Sequence, residues 1–215
     1  MNLTQYRIPK KIKIGGLTYT IEFPHVFYED TDYLGLHSYD ELTIKLGLYH
    51  HGIQVNRQIL HSTFLHEVTH AIDQVYCART IDNEPNIDRL ANGLYQVILQ
   101  NNLHLKDKKI PKRLKIGGYD VKVLYPFEFI DFERSAAFRP TTLHIKIERK
   151  DVIELAQMDL IGGILMMICE NMNIRLGHAG RGEERVLDEF AFSHFQQGLY
   201  QVLVDNNIEH VIRGR

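Results

Sequence analysis

The chain has 215 residues, of which 44% are hydrophobic and 24% charged, and its formal net charge is −2. These values are those of an ordinary soluble globular protein, and the charge gives no argument for nucleic acid or an acidic membrane surface as a partner. No run approaches the ~20 apolar residues of a membrane span, and the N-terminal residues lack the apolar core of a secretory signal. Two cysteines, Cys77 and Cys169, are too few for a disulfide framework. We therefore expect a cytoplasmic protein without a membrane partner, in which both cysteines are small core residues.

The sequence at the beginning of the chain is repeated about a hundred residues later. Residues 8–24 are IPKKIKIGGLTYTIEFP and residues 110–126 are IPKRLKIGGYDVKVLYP, while GLYQVILQNN at 93–102 matches GLYQVLVDNN at 198–207. The offset changes only from 102 to 105, which predicts two copies of one unit of about 100 residues. We assign residues 1–105 to the first copy and 106–215 to the second.

Each copy is predicted to begin with a β-hairpin around an Ile-Gly-Gly turn and to continue with a third strand. A long helix and a closing helix complete the copy. The predicted strands are 11–14, 18–23 and 41–47, then 114–116, 119–124 and 142–148; the predicted helices are about 54–77 and 84–101, then about 151–173 and 184–206. This order predicts an α+β fold of two tandem β-β-β-α-α units, with helices packed on small antiparallel sheets. The short polar connector favours an intramolecular pseudo-dimer with pseudo-twofold packing over two independent units.

The first long helix contains the sequence His66-Glu67-Val68-Thr69-His70. Because successive helical residues are about 100° apart, His66 and His70 lie on one face, one turn apart, where both can reach a single Zn²⁺ ion. Glu67 projects beside them and could take a proton from metal-bound water without being a ligand. The alternative is a helix with two surface histidines and a glutamate, but apolar residues recur at helical spacing and place the motif on the element that metal binding requires.

A catalytic zinc site also needs a third protein ligand. On the closing helix, Glu84 and Asp88 lie four residues apart on one face, so that one could bind the metal while the other accepts a ring N–H from a ligand histidine. We assign the ligand role to Glu84, with Asp88 as that acceptor or as the substitute ligand. Asp73 is predicted either to steady His70 or to be a solvated polar residue.

The second copy lacks this chemistry. When the long helices are aligned, Met166 and Met167 take the places of His66 and Glu67, and Glu170 takes the place of His70. We expect no zinc site of this kind there, and we expect the methionines to pack in a core or an interface.

The HEVTH motif at 66–70, followed by Glu84 and Asp88, resembles the gluzincin branch of zincin metallopeptidases. The small size and the spacing from Glu84 to Leu90-Ala91 resemble the short ImmA/IrrE-type metallopeptidases. The unit that ends in GLYQVILQNN is also similar to small zincin-like proteins of phages and mobile elements. The resemblance covers about residues 40–102.

This resemblance implies a zinc-dependent metallopeptidase that hydrolyses peptide bonds. The ion would be held by His66, His70 and Glu84, with Glu67 as the general base on a zinc-bound water. A peptide or protein substrate would add a strand to residues 41–47. The alternative is a non-catalytic interaction or inhibitory protein on a zincin scaffold. That protein would bind a protein partner or, through the basic residues of the hairpins, nucleic acid, although the overall charge favours a solvated face.

Overall fold

The computed structural model describes residues 3–28, 32–81, 83–103, 105–129, 136–139, 142–174 and 189–213, without the side chains of 136–139 and 189. These residues form an α+β protein, as predicted, with two four-stranded sheets, a short two-stranded hairpin and five α-helices. Within them, no helix combines the length and the apolar content that crossing a membrane requires. The predicted start of the last long helix, at 184–188, lies outside the described residues.

The first sheet has the strand order β1-β2-β4-β3. Its strands are β1 (Lys11–Ile14), β2 (Leu17–His25), β3 (Gly35–Ser38) and β4 (Thr43–Gly47). The predicted hairpin is confirmed, because β1 and β2 pair antiparallel with Gly15 and Gly16 in the turn. Gly15 has φ +59°, a left-handed conformation that glycine adopts without strain.

The sheet is mixed, and the prediction of an antiparallel sheet is wrong. The chain reverses direction twice between β2 and β4, because β3 lies between them in sequence and pairs antiparallel with β4. As a result β2 and β4 run parallel.

The strand predicted at 41–47 is β4, an internal strand with neighbours on both sides. Its backbone groups are taken up by β2 and β3, so the expectation that residues 41–47 accept a peptide strand is also wrong. The free edge beside α1 belongs to β3, which the sequence analysis did not identify.

The second sheet repeats this arrangement with the order β7-β8-β10-β9. Its strands are β7 (Arg113–Ile116), β8 (Tyr119–Phe127), β9 (Ala136–Arg139) and β10 (His144–Glu148). β7 and β8 form the second predicted hairpin, and β8 and β10 run parallel. Between the first sheet and the first helix, β5 (Tyr49–His50) and β6 (Ile53–Gln54) form a small separate hairpin.

The helices are α1 (Arg57–Cys77), α2 (Glu84–Gln100), α3 (Ile153–Asn171), α4 (Glu189–Asn206) and the unpredicted α5 (Ile208–Arg213). Asparagine side chains cap the first two helices: Asn56 accepts a hydrogen bond from Gln58 N, and Asn83 accepts one from Asn86 N. Such caps satisfy amide groups that have no partner inside the helix, which fixes where α1 and α2 begin. Pro85 lies in the first turn of α2, where its missing N–H costs no hydrogen bond.

Each half of the chain packs against the other through its last long helix. α4 packs on α1 and β1, and α2 packs on α3 and β7. Asn206 Nδ2 donates to Lys13 O (2.7 Å), while its Oδ1 accepts from Lys13 N (2.6 Å). Asn101 makes the same two bonds to Lys115 O and N, both at 2.7 Å. Each repeated asparagine therefore binds the hairpin of the opposite half.

A glutamine five residues before each asparagine makes a second matched pair of contacts. Gln201 Oε1 accepts from Gly15 N at 2.9 Å, and Gln96 Oε1 accepts from Gly117 N at 3.0 Å. The buried apolar residues of both halves form one continuous core. Cys77 and Cys169 are free and lie in this core, as expected.

Candidate metal centre

Helix α1 presents His66 and His70 to the same point in space. Their Nε2 atoms are 3.0 Å apart and their ring centroids 4.7 Å apart. The two side chains are only 18% and 19% exposed, so they are not the surface histidines of the alternative interpretation. The helix holds them there because Phe64, Leu65 and Val68 on its other faces are buried in the core.

Glu84 completes a cluster with the two histidines. It is the first residue of α2, and its two carboxylate oxygens lie 3.3 Å from His66 Nε2 and 3.3 Å from His70 Nε2. The chain reaches this position because Ala78 and Arg79 adopt left-handed conformations after α1 and reverse its direction. Among the described residues, these three side chains form one of two groups whose ligand atoms all lie within 4.8 Å of one another.

Asp88 lies on the other side of the His66 ring. Its Oδ1 is 2.8 Å from His66 Nδ1, so the carboxylate accepts a hydrogen bond from the Nδ1–H. In a neutral imidazole the remaining lone pair is then on Nε2, the nitrogen that faces Glu84 and His70. The structure thus brings Glu84 to the Nε2 atoms of both histidines and Asp88 to Nδ1 of the His66 ring, where it can orient the ring.

This arrangement of donors fits a zinc ion. Ligand atoms that surround Zn²⁺ tetrahedrally at roughly 2.0–2.1 Å lie roughly 3.3 Å from one another, and the separations here are 3.0 and 3.3 Å. When the His66 ring is neutral, the lone pair of its Nε2 faces the Glu84 carboxylate, which can only accept hydrogen bonds, and a cation between them would satisfy both groups. Two imidazoles and one carboxylate are an established ligand set for zinc sites with an open position.

Glu67 lies beside this cluster but is turned into the protein. Its side chain is 5% exposed, and burial, followed by the nearby Glu84 carboxylate, raises the pKa of the Glu67 carboxyl to about 8. The backbone N–H of His37 on β3 donates a hydrogen bond to it and opposes this rise. Gly35 makes the close approach of β3 feasible, because a Cβ there would lie 2.4 Å from Glu67 Oε1.

The cluster opens into a cleft between α1 and the edge strand β3. A cavity of about 610 Å³ is lined by Gly35 to Asp40 on one side and by His66, Glu67 and His70 on the other. A second groove of about 300 Å³ continues past the opposite side of Glu67 toward Asp32 and Asp88. The cleft therefore extends along β3 in both directions from the buried carboxylate.

Asp73 lies on α1 three residues after His70 and stabilises the connection that leads to Glu84. It is 2% exposed and lines the cleft, so the interpretation as a solvated residue is wrong. Its Oδ1 accepts a hydrogen bond from Ile81 N (3.1 Å), and its carbonyl oxygen accepts from Arg79 N (3.2 Å). These bonds hold the connection between α1 and α2 and thereby the position of Glu84.

His37 and Tyr19 also lie near the cluster, and the sequence did not predict a role for either. His37 lines the cleft and its Nε2 lies 3.3 Å from the Tyr19 hydroxyl. Burial, then the charges of His70 and Arg79, lower the pKa of His37 to about 4, so its imidazole is neutral at neutral pH. Burial raises the pKa of Tyr19 to about 12. Neither residue has a recognisable spacing from the helix motif, and no signal in the sequence pointed to them.

In the second half, the residues aligned with the motif lie on α3. Met167 is buried in the core, as expected, whereas Met166 is 37% exposed and Glu170 is exposed.

Comparisons of the chain with protein-family models, curated proteins and solved structures return no match.

Proposed function

We propose that this protein is a zinc-dependent metallopeptidase that hydrolyses peptide bonds. His66, His70 and Glu84 hold the ion, and Glu67 is the general base. The observation that carries the proposal is the convergence of three ligand side chains, 3.0–3.3 Å apart, next to a buried carboxylate at the floor of an open cleft.

When bound, a zinc ion supplies Lewis acidity and lowers the pKa of a water molecule at the site. Glu67 accepts a proton from the attacking water while the oxygen of that water bonds to the carbonyl carbon of the substrate. The same carboxyl then gives the proton to the amine as the C–N bond breaks. Burial favours the neutral carboxyl of Glu67 and a bound cation would favour its carboxylate, so the two effects together suit the group to both steps.

The substrate side of the proposal rests on the edge strand β3. The N–H of His37 is bonded to Glu67, so it points from the free edge of the sheet toward the general base and not toward β4. An extended peptide that pairs with this edge would pass beside Glu67, with the cleft continuing on both sides. We therefore propose a peptide or protein substrate bound along β3.

We further propose that the scaffold is zincin-like, of the gluzincin or ImmA/IrrE type, and that the chain is a duplicated pair of such units related by a pseudo-twofold axis. Support comes from the two sheets of identical strand order and from the matched contacts of Asn101 and Asn206 with opposite halves. A cytoplasmic location is part of the proposal, and the two free buried cysteines are consistent with it.

The test combines metal content with cleavage of a peptide library. The wild-type protein should contain zinc, and His66→Ala/His70→Ala should lose one equivalent of it. Met166→Ala is the matched control, because it truncates the aligned position of the second half and should retain the zinc. Glu67→Gln should keep the metal but lose cleavage.

Two results would overturn the proposal. One is a zinc content that does not depend on the two histidines. The other is a Glu67→Gln variant that cleaves the library as wild type does. A variant that loses cleavage yet keeps the protein's biological effect would instead support the non-catalytic interaction protein.

A further inference from the structure

A second group of metal-binding side chains lies away from the cluster on α1. Asp32 precedes β3, and His50 and His51 belong to the β5–β6 hairpin; each offers one ligand atom, and these atoms lie within 4.8 Å of one another. His51 Nε2 is 3.1 Å from Asp32 Oδ1. The rings of His50 and His51 have centroids 4.1 Å apart and planes inclined by 53°.

The backbone of the hairpin turns two adjacent histidines toward each other. Neighbouring residues of a strand normally point to opposite faces, but β5 ends at His50 and His51 enters the turn. His51 has φ +48° and Gly52 has φ +74°, the two left-handed residues of a type I′ turn. Such a turn favours Asn, Asp or Gly, and histidine is also enriched among residues with positive φ.

The His50 ring has an unsatisfied nitrogen. Its Nε2 is buried and has no hydrogen-bond partner among the described residues. A buried polar atom without a partner loses its hydration without compensation, and a cation bound at that nitrogen would supply the missing interaction. Imidazole donors suit zinc, nickel and copper, whereas calcium and magnesium prefer oxygen donors alone.

The location of the group connects it to the cleft. Asp32 lies on the wall of the groove of about 300 Å³ that His66 and Glu67 also line. It precedes Gly35, the residue that lets β3 approach Glu67. An ion at this point would tie the segment that leads into β3 to the hairpin that leads into α1.

We propose that Asp32, His50 and His51 form a second site for a transition-metal ion, separate from the cluster on α1, and that the bound ion anchors the wall of the cleft next to β3. The inference does not depend on the proposed peptidase activity.

The test is made in the His66→Ala/His70→Ala background, where the first cluster is removed. Calorimetric titration with Zn²⁺ and with Ni²⁺ should give one bound ion per chain. His51→Asn in this background should weaken binding by more than the 10–100-fold that loss of a ligand's hydrogen-bond partner costs. Asparagine is favoured at this turn position, so the hairpin should remain folded.

His25→Asn is the matched control, because His25 also pairs with a single carboxylate (Glu22, 3.2 Å) but belongs to neither metal-binding group among the described residues. It should leave the titration unchanged. Addition of Zn²⁺ should slow amide hydrogen exchange at residues 32–38 in the background variant, and His51→Asn should abolish that protection.

Either of two outcomes would overturn the inference. The background variant could bind no ion, or it could bind ions that are equally insensitive to His51→Asn, Asp32→Asn and His25→Asn, which would identify adventitious surface binding. Loss of zinc from the first cluster alone bears only on the proposed peptidase, so the two proposals fail separately.

Discussion

Replacing Glu67 by glutamine should make the metal-free protein more stable, and increasingly so as the pH rises. The pKa of this carboxyl is raised from its ordinary value of 4.5 to about 8 in the folded state. Between these values the unfolded chain releases a proton that the folded chain keeps, so stability falls with rising pH. At 1.36 kcal/mol for each pKa unit, the wild type loses roughly 2 kcal/mol by pH 6 and at most roughly 5 kcal/mol above pH 8.

The glutamine variant escapes this loss because its side chain does not ionise. It keeps the shape of the glutamate and an oxygen that can accept the His37 N–H. The assay is urea denaturation in excess chelator from pH 5 to pH 9. The two proteins should be nearly equal at pH 5 and diverge steadily above it. Zinc should narrow the difference, because a nearby cation favours the carboxylate of the wild type.

Glu41→Gln is the control for this prediction. Glu41 is exposed and Lys45 lowers the pKa of its carboxyl, so its small contribution is present at neutral pH and lost in acid. Because that loss occurs below pH 4.5, its substitution should change stability by a small and nearly constant amount from pH 5 to pH 9. A Glu67→Gln protein that is no more stable than the wild type at pH 8 in chelator would refute the argument that the buried carboxylate is held at an energetic cost.

Three further predictions concern the neighbours of the site and the contacts between halves. Asp88→Asn should weaken zinc binding about 10–100-fold in a competition assay with a chelator, because it removes the carboxylate that orients His66. Gly35→Ala should cost about 1–3 kcal/mol in denaturation and reduce the proposed cleavage, because the new methyl group would lie 2.4 Å from a carboxylate oxygen of Glu67, the proposed general base. Asn101→Ala should cost about 1–3 kcal/mol in denaturation, since it leaves the partly buried N–H and C=O of Lys115 without their partner. Asn206→Ala should cost less, about 0.5–1.5 kcal/mol, because its bonds to Lys13 are exposed and Gln201 Nε2 also donates to Lys13 O (3.4 Å).

The cluster on α1 was the part of the molecule most accessible from the sequence. The separation of His66 and His70 follows from helix geometry alone. Glu84 and Asp88 lie on the next helix, and the short connection between the two helices keeps them near the histidines. The sequence left open which carboxylate faces the metal-binding nitrogens. That depends on the left-handed residues Ala78 and Arg79, whose effect on the direction of α2 no spacing pattern encodes.

The edge strand β3 was not accessible in the same way. Gly35-Leu36-His37-Ser38 is short and has no clear alternation of apolar and polar residues, because one face approaches α1 and one edge is open. If β3 is not recognised, β4 is assigned as the edge strand and the sheet is assigned as antiparallel. The same omission hid the N–H of His37 and its contact with Glu67, since both exist only through long-range packing.

The residues that the two halves share explain why a second half without the histidines would be kept. Gly198 lies against Ile72 and Tyr76 of α1 so closely that a Cβ would meet them at 2.8 and 2.6 Å. Gln201 and Asn206 bind the first hairpin. These three residues repeat Gly93, Gln96 and Asn101 of the first half, whereas Met166, Met167 and Glu170 replace the motif. What repeats is therefore the set of residues that face the other half, and what differs is the chemistry of the cleft. On the proposed duplication, the second half is retained because its last long helix supports the C-terminal turns of the helix that carries His66 and His70.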